Sequence, residues 1–196
     1  MFSAKEMLIK YWGHTHFRPM QYEIIQSILA GKDTLALLPT NGGKSICFQI
    51  PSLMQDGICI VISPLIALMK DQVQYLKSKG IKSLTLTSGL FKDEVVVALN
   101  NCIYGNYKFL YISPERLKDK LIQERIKHMN VNLITVDEAH CISEWGFDFR
   151  PSYLHIAKIR DIIPNVPILA LTATATSDII DDIQKKLLFK EKHLLR

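Results

Sequence analysis

Short apolar runs alternate along the chain with stretches in which hydrophobic residues recur every three or four positions. The runs Thr34–Leu38, Ile58–Ile62, Ser83–Thr87, Phe109–Ile112, Leu133–Val136 and Ile168–Thr172 read as strands. Most are continuous and not alternating, as a strand covered on both faces requires. Between them lie helical patterns. From Pro64 to Lys79, the residues Leu65, Leu68, Met69, Gln72, Val73 and Leu76 form one apolar face, and Gly80 is a fitting stop. Later, Ile179, Ile180, Ile183 and Leu187 line a face behind a Thr176-Ser177-Asp178 cap. Pro51 is expected to kink or end the helix in which it falls. This alternation predicts an α/β domain with a mostly parallel twisted sheet and helices on both faces. Ligands of such sheets gather at the carboxyl ends of the strands.

Composition narrows the picture a little. The 196 residues contain no repeat or low-complexity linker, which suggests a single domain. With 48% hydrophobic and 22% charged residues, the chain can build a core and is not of the disordered class. Its net charge of +5 is compatible with nucleic-acid binding but does not establish it. No apolar stretch approaches the roughly 18 residues needed to span a bilayer, and Lys5 and Glu6 stand where a signal peptide would be apolar. A cytoplasmic protein without membrane contact is expected. Cys47, Cys59, Cys102 and Cys141 are singly spaced, so neither a disulfide framework nor a zinc site is expected. The pair His14 and His16 reads as a solvated loop.

Chemistry enters at the first strand. It feeds into Pro39-Thr40-Asn41-Gly42-Gly43-Lys44-Ser45, and a helical stretch follows from Ile46. A nucleoside triphosphate needs this order of strand, small-residue loop, Lys-Ser and helix. Backbone N–H groups curl around phosphate oxygens, the Lys44 ammonium sits between the outer phosphates, and the Ser45 hydroxyl can ligate Mg²⁺. The apolar run Leu133–Val136 ends in Asp137-Glu138-Ala139-His140. A carboxylate at the tip of a buried strand suits the second Mg²⁺ contact. The competing reading of Asp137-Glu138 is a helix start decorated with acids. In register with Gly43-Lys44-Ser45, the pair points to a chain that binds ATP or GTP and hydrolyses it.

Several further stretches, read in order, carry a resemblance. They are Phe17-Arg18-Pro19-Met20-Gln21, Leu38 to Ser45, Ser63 to Gln72, Ser113-Pro114-Glu115-Arg116-Leu117, Asp137 to Ser143 (a DEAH box) and Thr172-Ala173-Thr174-Ala175-Thr176. The most discriminating is Glu144-Trp145-Gly146-Phe147-Asp148-Phe149-Arg150-Pro151. From about Gly13 to about Ile183 the chain resembles the N-terminal RecA-like motor domain of RecQ-type DNA helicases in superfamily 2.

The resemblance implies roles for matching positions. Arg18 and Gln21 would grip adenine, since a Gln amide can accept from N6 and donate to N7, which guanine cannot reciprocate. Thr40, Asn41, Gly42, Gly43, Lys44 and Ser45 would cradle the phosphates, with Ser45 and Asp137 on Mg²⁺. Glu138 would orient and deprotonate the attacking water. His140, Thr172 and Thr174 would couple the ATP site to DNA. Trp145, Phe147, Phe149 and Arg150 would sense single strands by stacking and phosphate contact, the alternative being that the aromatics are core. Two positions depart from the family pattern. Asn41 stands where Gly is usual, although Asn tolerates φ > 0, and His14 stands where an adenine-stacking aromatic is common.

By this resemblance residues 1–196 are one helicase ATP-binding domain of the P-loop type. It would be half of a motor that uses ATP and Mg²⁺ on single-stranded or junction DNA in repair or recombination, with 3′-to-5′ polarity. The second RecA-like domain and the zinc-binding and winged-helix parts are absent from this sequence. The fragment by itself is expected to be a nearly inactive monomer, and the whole protein nucleoid-associated if bacterial. An ATP-dependent nucleic-acid-binding module without turnover and an RNA helicase remain as alternatives.

Overall fold

The computed structural model describes residues 2–87 and 89–196. Its centre is a seven-stranded sheet in the order β3-β4-β2-β5-β6-β1-β7. The strands are β1 (Thr34–Leu37), β2 (Ile58–Ile62), β3 (Ser83–Leu86), β4 (Phe109–Ile112), β5 (Val131–Val136), β6 (Ile168–Thr172) and β7 (Leu194–Leu195). Every pairing is parallel. The six predicted strands all form, with ends differing by no more than two residues. The two-residue β7 was not predicted, because so short a pair has no periodicity.

Continuous apolar strands divide their residues between the two faces of the sheet. Ile60, Ile62, Ile134, Val136, Ile168 and Ala170 point to one side and pack against α5 (Lys92–Tyr104), α6 (Lys120–Ile126), α7 (Ile156–Ile162) and α8 (Ser177–Lys186). Their neighbours Cys59, Val61, Leu133, Leu169 and Leu171 point to the other. There they meet Ile24 and Ile28 of α2 (Gln21–Leu29), Phe48 of α3 (Lys44–Met54), and Met69, Val73 and Leu76 of α4 (Ile66–Ser78). A small satellite core joins α1 (Ala4–Trp12) to α2 and α3 through Met7, Leu8, Ile25 and Ile50.

Pro51 does not end its helix, since α3 continues through it to Met54. The proline removes only the bond to the Cys47 carbonyl, near the helix end, where the lost bond disturbs least. At the amino ends of the strands, Asp33 and Arg160 form a buried bidentate pair, with Nη2 2.6 Å from Oδ2 and Nη1 3.1 Å from Oδ1. The backbone N–H groups of Ile168 and Lys190 also donate to this carboxylate, at 2.9 and 2.8 Å. It thus ties the starts of β1 and β6 to the C-terminal segment, opposite the end where the candidate site lies.

Candidate nucleotide-binding site

β1 and β5 deliver their loops to the same edge of the sheet. Together with Ser63, just past β2, these loops frame a cleft of about 440 Å³. Arg18, Thr40, Asn41, Gly43, Lys44, Ser45, Asp137 and Glu138 line it, so most of the predicted nucleotide residues converge. Phe48, Val61, Leu68, Met69, Gln72 and Tyr111 form the remaining wall. Sequence reasoning did not assign these. Ser63 could have been found by the rule that located Lys44 and Asp137, since it too follows a strand's carboxyl end.

The phosphate loop has the geometry its residues imply. Gly43 precedes α3 with φ +73° and offers no side-chain cap, so no capping side chain competes for the first-turn N–H groups where Lys44 and Ser45 line the cleft. A Cβ on Gly43 would lie 2.4 Å from Gln21 Nε2, and one on Gly42 would lie 2.8 Å from the Pro39 oxygen. Only glycine fits both positions. Asn41 adopts φ +67°. The loop therefore uses the left-handed region at a residue that tolerates it.

Lys44 Nζ lies 3.8 Å from Glu138 Oε1. Asp137 accepts from the Glu138 N–H at 3.0 Å and from the Ser63 hydroxyl at 3.2 Å. Burial raises the Asp137 pKa, the Glu138 charge adds to this, and Lys44 opposes it. Glu138 holds φ +48° and ψ +47°, an uncommon conformation for a non-glycine residue. Strain of this kind concentrates at functional sites. Backbone N–H groups, an ammonium, a hydroxyl and two carboxylates around one cleft fit a nucleoside triphosphate with Mg²⁺. When bound, the cation would supply positive charge at the outer phosphates, with Ser45 and Asp137 as its protein ligands.

Gln21 does not line the cleft. It is 1% exposed, and its amide is engaged: Oε1 accepts from the Arg18 N–H at 2.9 Å, and Nε2 donates to the carbonyls of Gly43 at 3.0 Å and Gly42 at 3.3 Å. The Arg18 guanidinium likewise donates to the Asn41 carbonyl. In this conformation both residues brace the phosphate loop, and reading adenine with Gln21 would require those bonds to exchange.

The residues expected to couple the site to DNA converge on His140. Its Nδ1 lies 2.9 Å from Thr172 Oγ1, and Thr172 in turn donates to the Thr174 carbonyl at 3.2 Å. Thr172 is buried and Thr174 exposed. The Phe147 ring stacks on His140 with centroids 5.7 Å apart and 25° between planes. Trp145 is 77% exposed and Phe147 91%, so neither is core. Phe149 is half-buried, with the Lys186 ammonium 5.7 Å from its ring centre. Arg150 pairs with Asp148 at 3.3 Å. His14 and His16 are exposed.

An all-parallel sheet with a phosphate loop after β1 and an acidic pair after β5 defines a RecA-like P-loop nucleotide-binding fold. Among solved structures, the DEAD-box helicase Mss116 bound to ssRNA and UDP-BeF aligns with TM-score 0.77 at 19% identity, covering 99% of this chain and 42% of that one. The Pyrococcus furiosus Hef helicase domain aligns with TM-score 0.68 at 21% identity, covering 91% and 38%. At those identities the likeness speaks for the fold. The chain belongs to the DEAD/DEAH box helicase family, which residues 18–183 match.

Its relatives include helicases of the RecQ and RecS type. The probable ATP-dependent DNA helicase RecS of Bacillus subtilis (strain 168) is 45% identical, covering 100% of this chain and 39% of that protein. The ATP-dependent DNA helicase RecQ of the same organism is 46% identical, covering 94% and 32%. A putative ATP-dependent RNA helicase, R290 of Acanthamoeba polyphaga mimivirus, is 47% identical, covering 95% and 34%. The chain thus spans 32–39% of the length of these three relatives.

Proposed function

We propose that this chain is the N-terminal half of the motor of a RecQ-type ATP-dependent DNA helicase. The observation that carries the reading is the meeting of Lys44, Ser45, Asp137 and Glu138 in one cleft, with Lys44 and Glu138 already 3.8 Å apart. Lys44 and the α3 N-terminus bind the phosphates, Ser45 and Asp137 hold Mg²⁺, and Glu138 orients the attacking water and takes its proton. Phosphoryl transfer is largely positioning and charge stabilisation, so this small set suffices on the present side of the nucleotide. A pure ATP-binding module would not need Glu138.

Trp145, Phe147 and Arg150 contact single-stranded DNA, and His140 with Thr172 and Thr174 relays that contact to the acidic box. A second RecA-like domain of the whole protein supplies the opposite wall of the cleft and the other half of the strand track. Action on duplex junctions, 3′-to-5′ movement, a part in repair or recombination and a cytoplasmic, nucleoid-associated setting accompany this reading. Among the described residues, no helix is long and apolar enough to cross a membrane.

One observation favours a second reading: a relative of equal similarity bears the name of an RNA helicase. The test is calorimetry of Mg-ATP binding to residues 1–196, with the ATPase of the whole protein measured on DNA and on RNA. Lys44→Ala should abolish or severely weaken binding, and Glu138→Gln should keep binding and lose turnover. Binding by Lys44→Ala within about threefold of the parent would overturn the site assignment. Stimulation by RNA alone would turn the substrate reading to RNA.

A further inference from the structure

We propose that His140, Cys141 and Asp148 form a binding site for Zn²⁺ or another thiophilic divalent cation, joining the acidic box to the aromatic loop. One ligand atom from each residue falls within 4.8 Å of the others. Cys141 Sγ lies 3.7 Å from His140 Nε2 and 3.4 Å from Asp148 Oδ2. With zinc bonds of about 2.3 Å to sulfur and about 2.0–2.2 Å to nitrogen and oxygen, the edges of a tetrahedral site span roughly 3.5 Å. Two of its three edges therefore have nearly the required length before any cation arrives. Imidazole, thiolate and carboxylate together suit zinc, whereas Mg²⁺ prefers oxygen alone.

The imidazole is set for this role. Nδ1 faces Thr172 Oγ1 at 2.9 Å and Glu138 Oε2 at 3.4 Å. The Thr172 proton is directed to the Thr174 carbonyl, so Nδ1 must be the donor to Thr172. Nε2 then presents its lone pair toward Cys141. Outer hydrogen bonds of this kind orient and hold metal-bound histidines. Charge also balances. On binding, the Cys141 thiol proton, now directed to Asp148, leaves to solvent. A dication with one thiolate, one carboxylate and one neutral imidazole is then neutral, and water completes the fourth position. Entry is from the loop side, where the Asp148 side chain is 42% exposed, while the His140 side chain is only 12% exposed. Arg150 must shift from Asp148 Oδ2 to Oδ1 or release it, so an occupied site would hold the loop in one position and oppose its response to DNA.

The test is titration of residues 1–196 with Zn²⁺ and with Co²⁺ in excess Mg²⁺, which competes for Asp137. One equivalent should bind, and Co²⁺ should give a thiolate charge-transfer band with the strong visible absorption of four-coordinate cobalt. Cys141→Ser should remove the charge-transfer band. Asp148→Asn should weaken Zn²⁺ by at least about tenfold, and Thr172→Val by about 10–100-fold. Cys102→Ser should change neither. Persistence of the band in Cys141→Ser, or a pale six-coordinate spectrum showing an adventitious ion only, would overturn the proposal. Should Cys141→Ser not fold, the exposed Asp148→Asn decides alone: affinity within about twofold of the parent overturns the site.

Discussion

Tyr153 donates its phenol proton to the backbone carbonyl of Asp137 at 2.8 Å. Its ring is fully buried on the turn that closes the aromatic loop. The loop is anchored at its other end as well, since the Arg150 N–H donates to the Cys141 carbonyl at 2.8 Å. Movement of Trp145, Phe147 or Arg150 against nucleic acid would therefore reach the acidic residue through bonds already made. Ser63, hydrogen-bonded to the Asp137 side chain, adds a third input from the segment between β2 and α4.

Tyr153→Phe removes one oxygen and leaves the ring in place. The Asp137 carbonyl then loses a buried donor, a loss worth about 1–3 kcal/mol. In a domain of this size each kcal/mol lowers Tm by about 2–4 °C. The variant should melt lower by about 2–12 °C and, in the whole protein, retain ATP binding while losing part of the stimulation by DNA. Full stimulation with a lowered Tm would make the bond structural only.

Asp137 should be a cost to the folded state in the absence of Mg²⁺. Burial, then the Glu138 charge, raises its pKa above the usual aspartate value. Between the unfolded value and the raised one, the native state binds more protons than the unfolded chain, so stability falls as pH rises through that window. Asp137→Asn keeps the side-chain volume and removes the charge; its amide oxygen can still accept from the Glu138 N–H, and the Ser63 hydroxyl must turn to accept from the new amide N–H. It should melt higher than the parent at neutral pH, with a flatter pH dependence, and lose the stabilisation that Mg²⁺ gives the parent. A lower Tm at pH 7 in the variant would show that Lys44 outweighs the burial.

Much of this architecture was legible because strands buried on both faces announce themselves as continuous apolar runs, and because phosphate and Mg²⁺ chemistry restricts residue types at strand ends. Lys44, Ser45, Asp137 and Glu138 follow from that logic, and the sheet order brings them together. The Asp33–Arg160 pair, 127 residues apart, was not legible: each charge alone looks like a solvated one. Nor were Tyr153 and the buried chain in which Gln49 donates to the Tyr111 hydroxyl and Tyr111 to Gln72, at 3.2 and 2.8 Å. Such contacts depend on which helices share a face, and no local pattern encodes that. Gln21 shows the converse, a residue type suited to adenine whose amide the fold engages elsewhere.

Asn41 at φ +67° carries backbone strain that glycine would not. Its carbonyl already receives the Arg18 guanidinium, whereas its side chain is exposed. Asn41→Gly should relieve on the order of 1 kcal/mol of strain and leave or improve ATP affinity in calorimetry. A clear loss of affinity would mean that the Asn41 side chain itself touches nucleotide.

Trp145 and Arg150 can be removed without opening the core, because the tryptophan is mostly exposed and the arginine side chain pairs with the partly exposed Asp148 beside it. Stacking on one base is worth about 1–3 kcal/mol. In the whole protein, Trp145→Ala and Arg150→Ala should weaken single-strand binding by about that amount and lower DNA-stimulated ATPase far more than ATP affinity. Unchanged stimulation in both variants would leave the exposed aromatics without a nucleic-acid role.

Residues 1–196 by themselves should bind nucleotide and turn it over poorly. Charge on the transferring phosphoryl group calls for an arginine, and one supplied from a neighbouring domain is worth about 10³–10⁵ in rate. Within this chain Arg160 is buried against Asp33, Arg125 donates to Asn100, and Arg150 pairs with Asp148. Arg18 lines the cleft, but its guanidinium is held by the Asn41 carbonyl, Arg116 sits on the turn after β4, and Arg196 is exposed just past β7 and does not line the cleft. The exposed aromatic loop offers single strands a few stacking partners and little of the backbone track that gives helicases their affinity. The expected behaviour is a folded monomer that binds adenine nucleotides with Mg²⁺, releases little phosphate with or without DNA, and separates no strands. Phosphate release and strand separation on this chain decide the matter. Robust DNA-stimulated turnover would mean that Arg18 leaves the loop to serve the phosphates, and that the catalytic set is complete without a second domain.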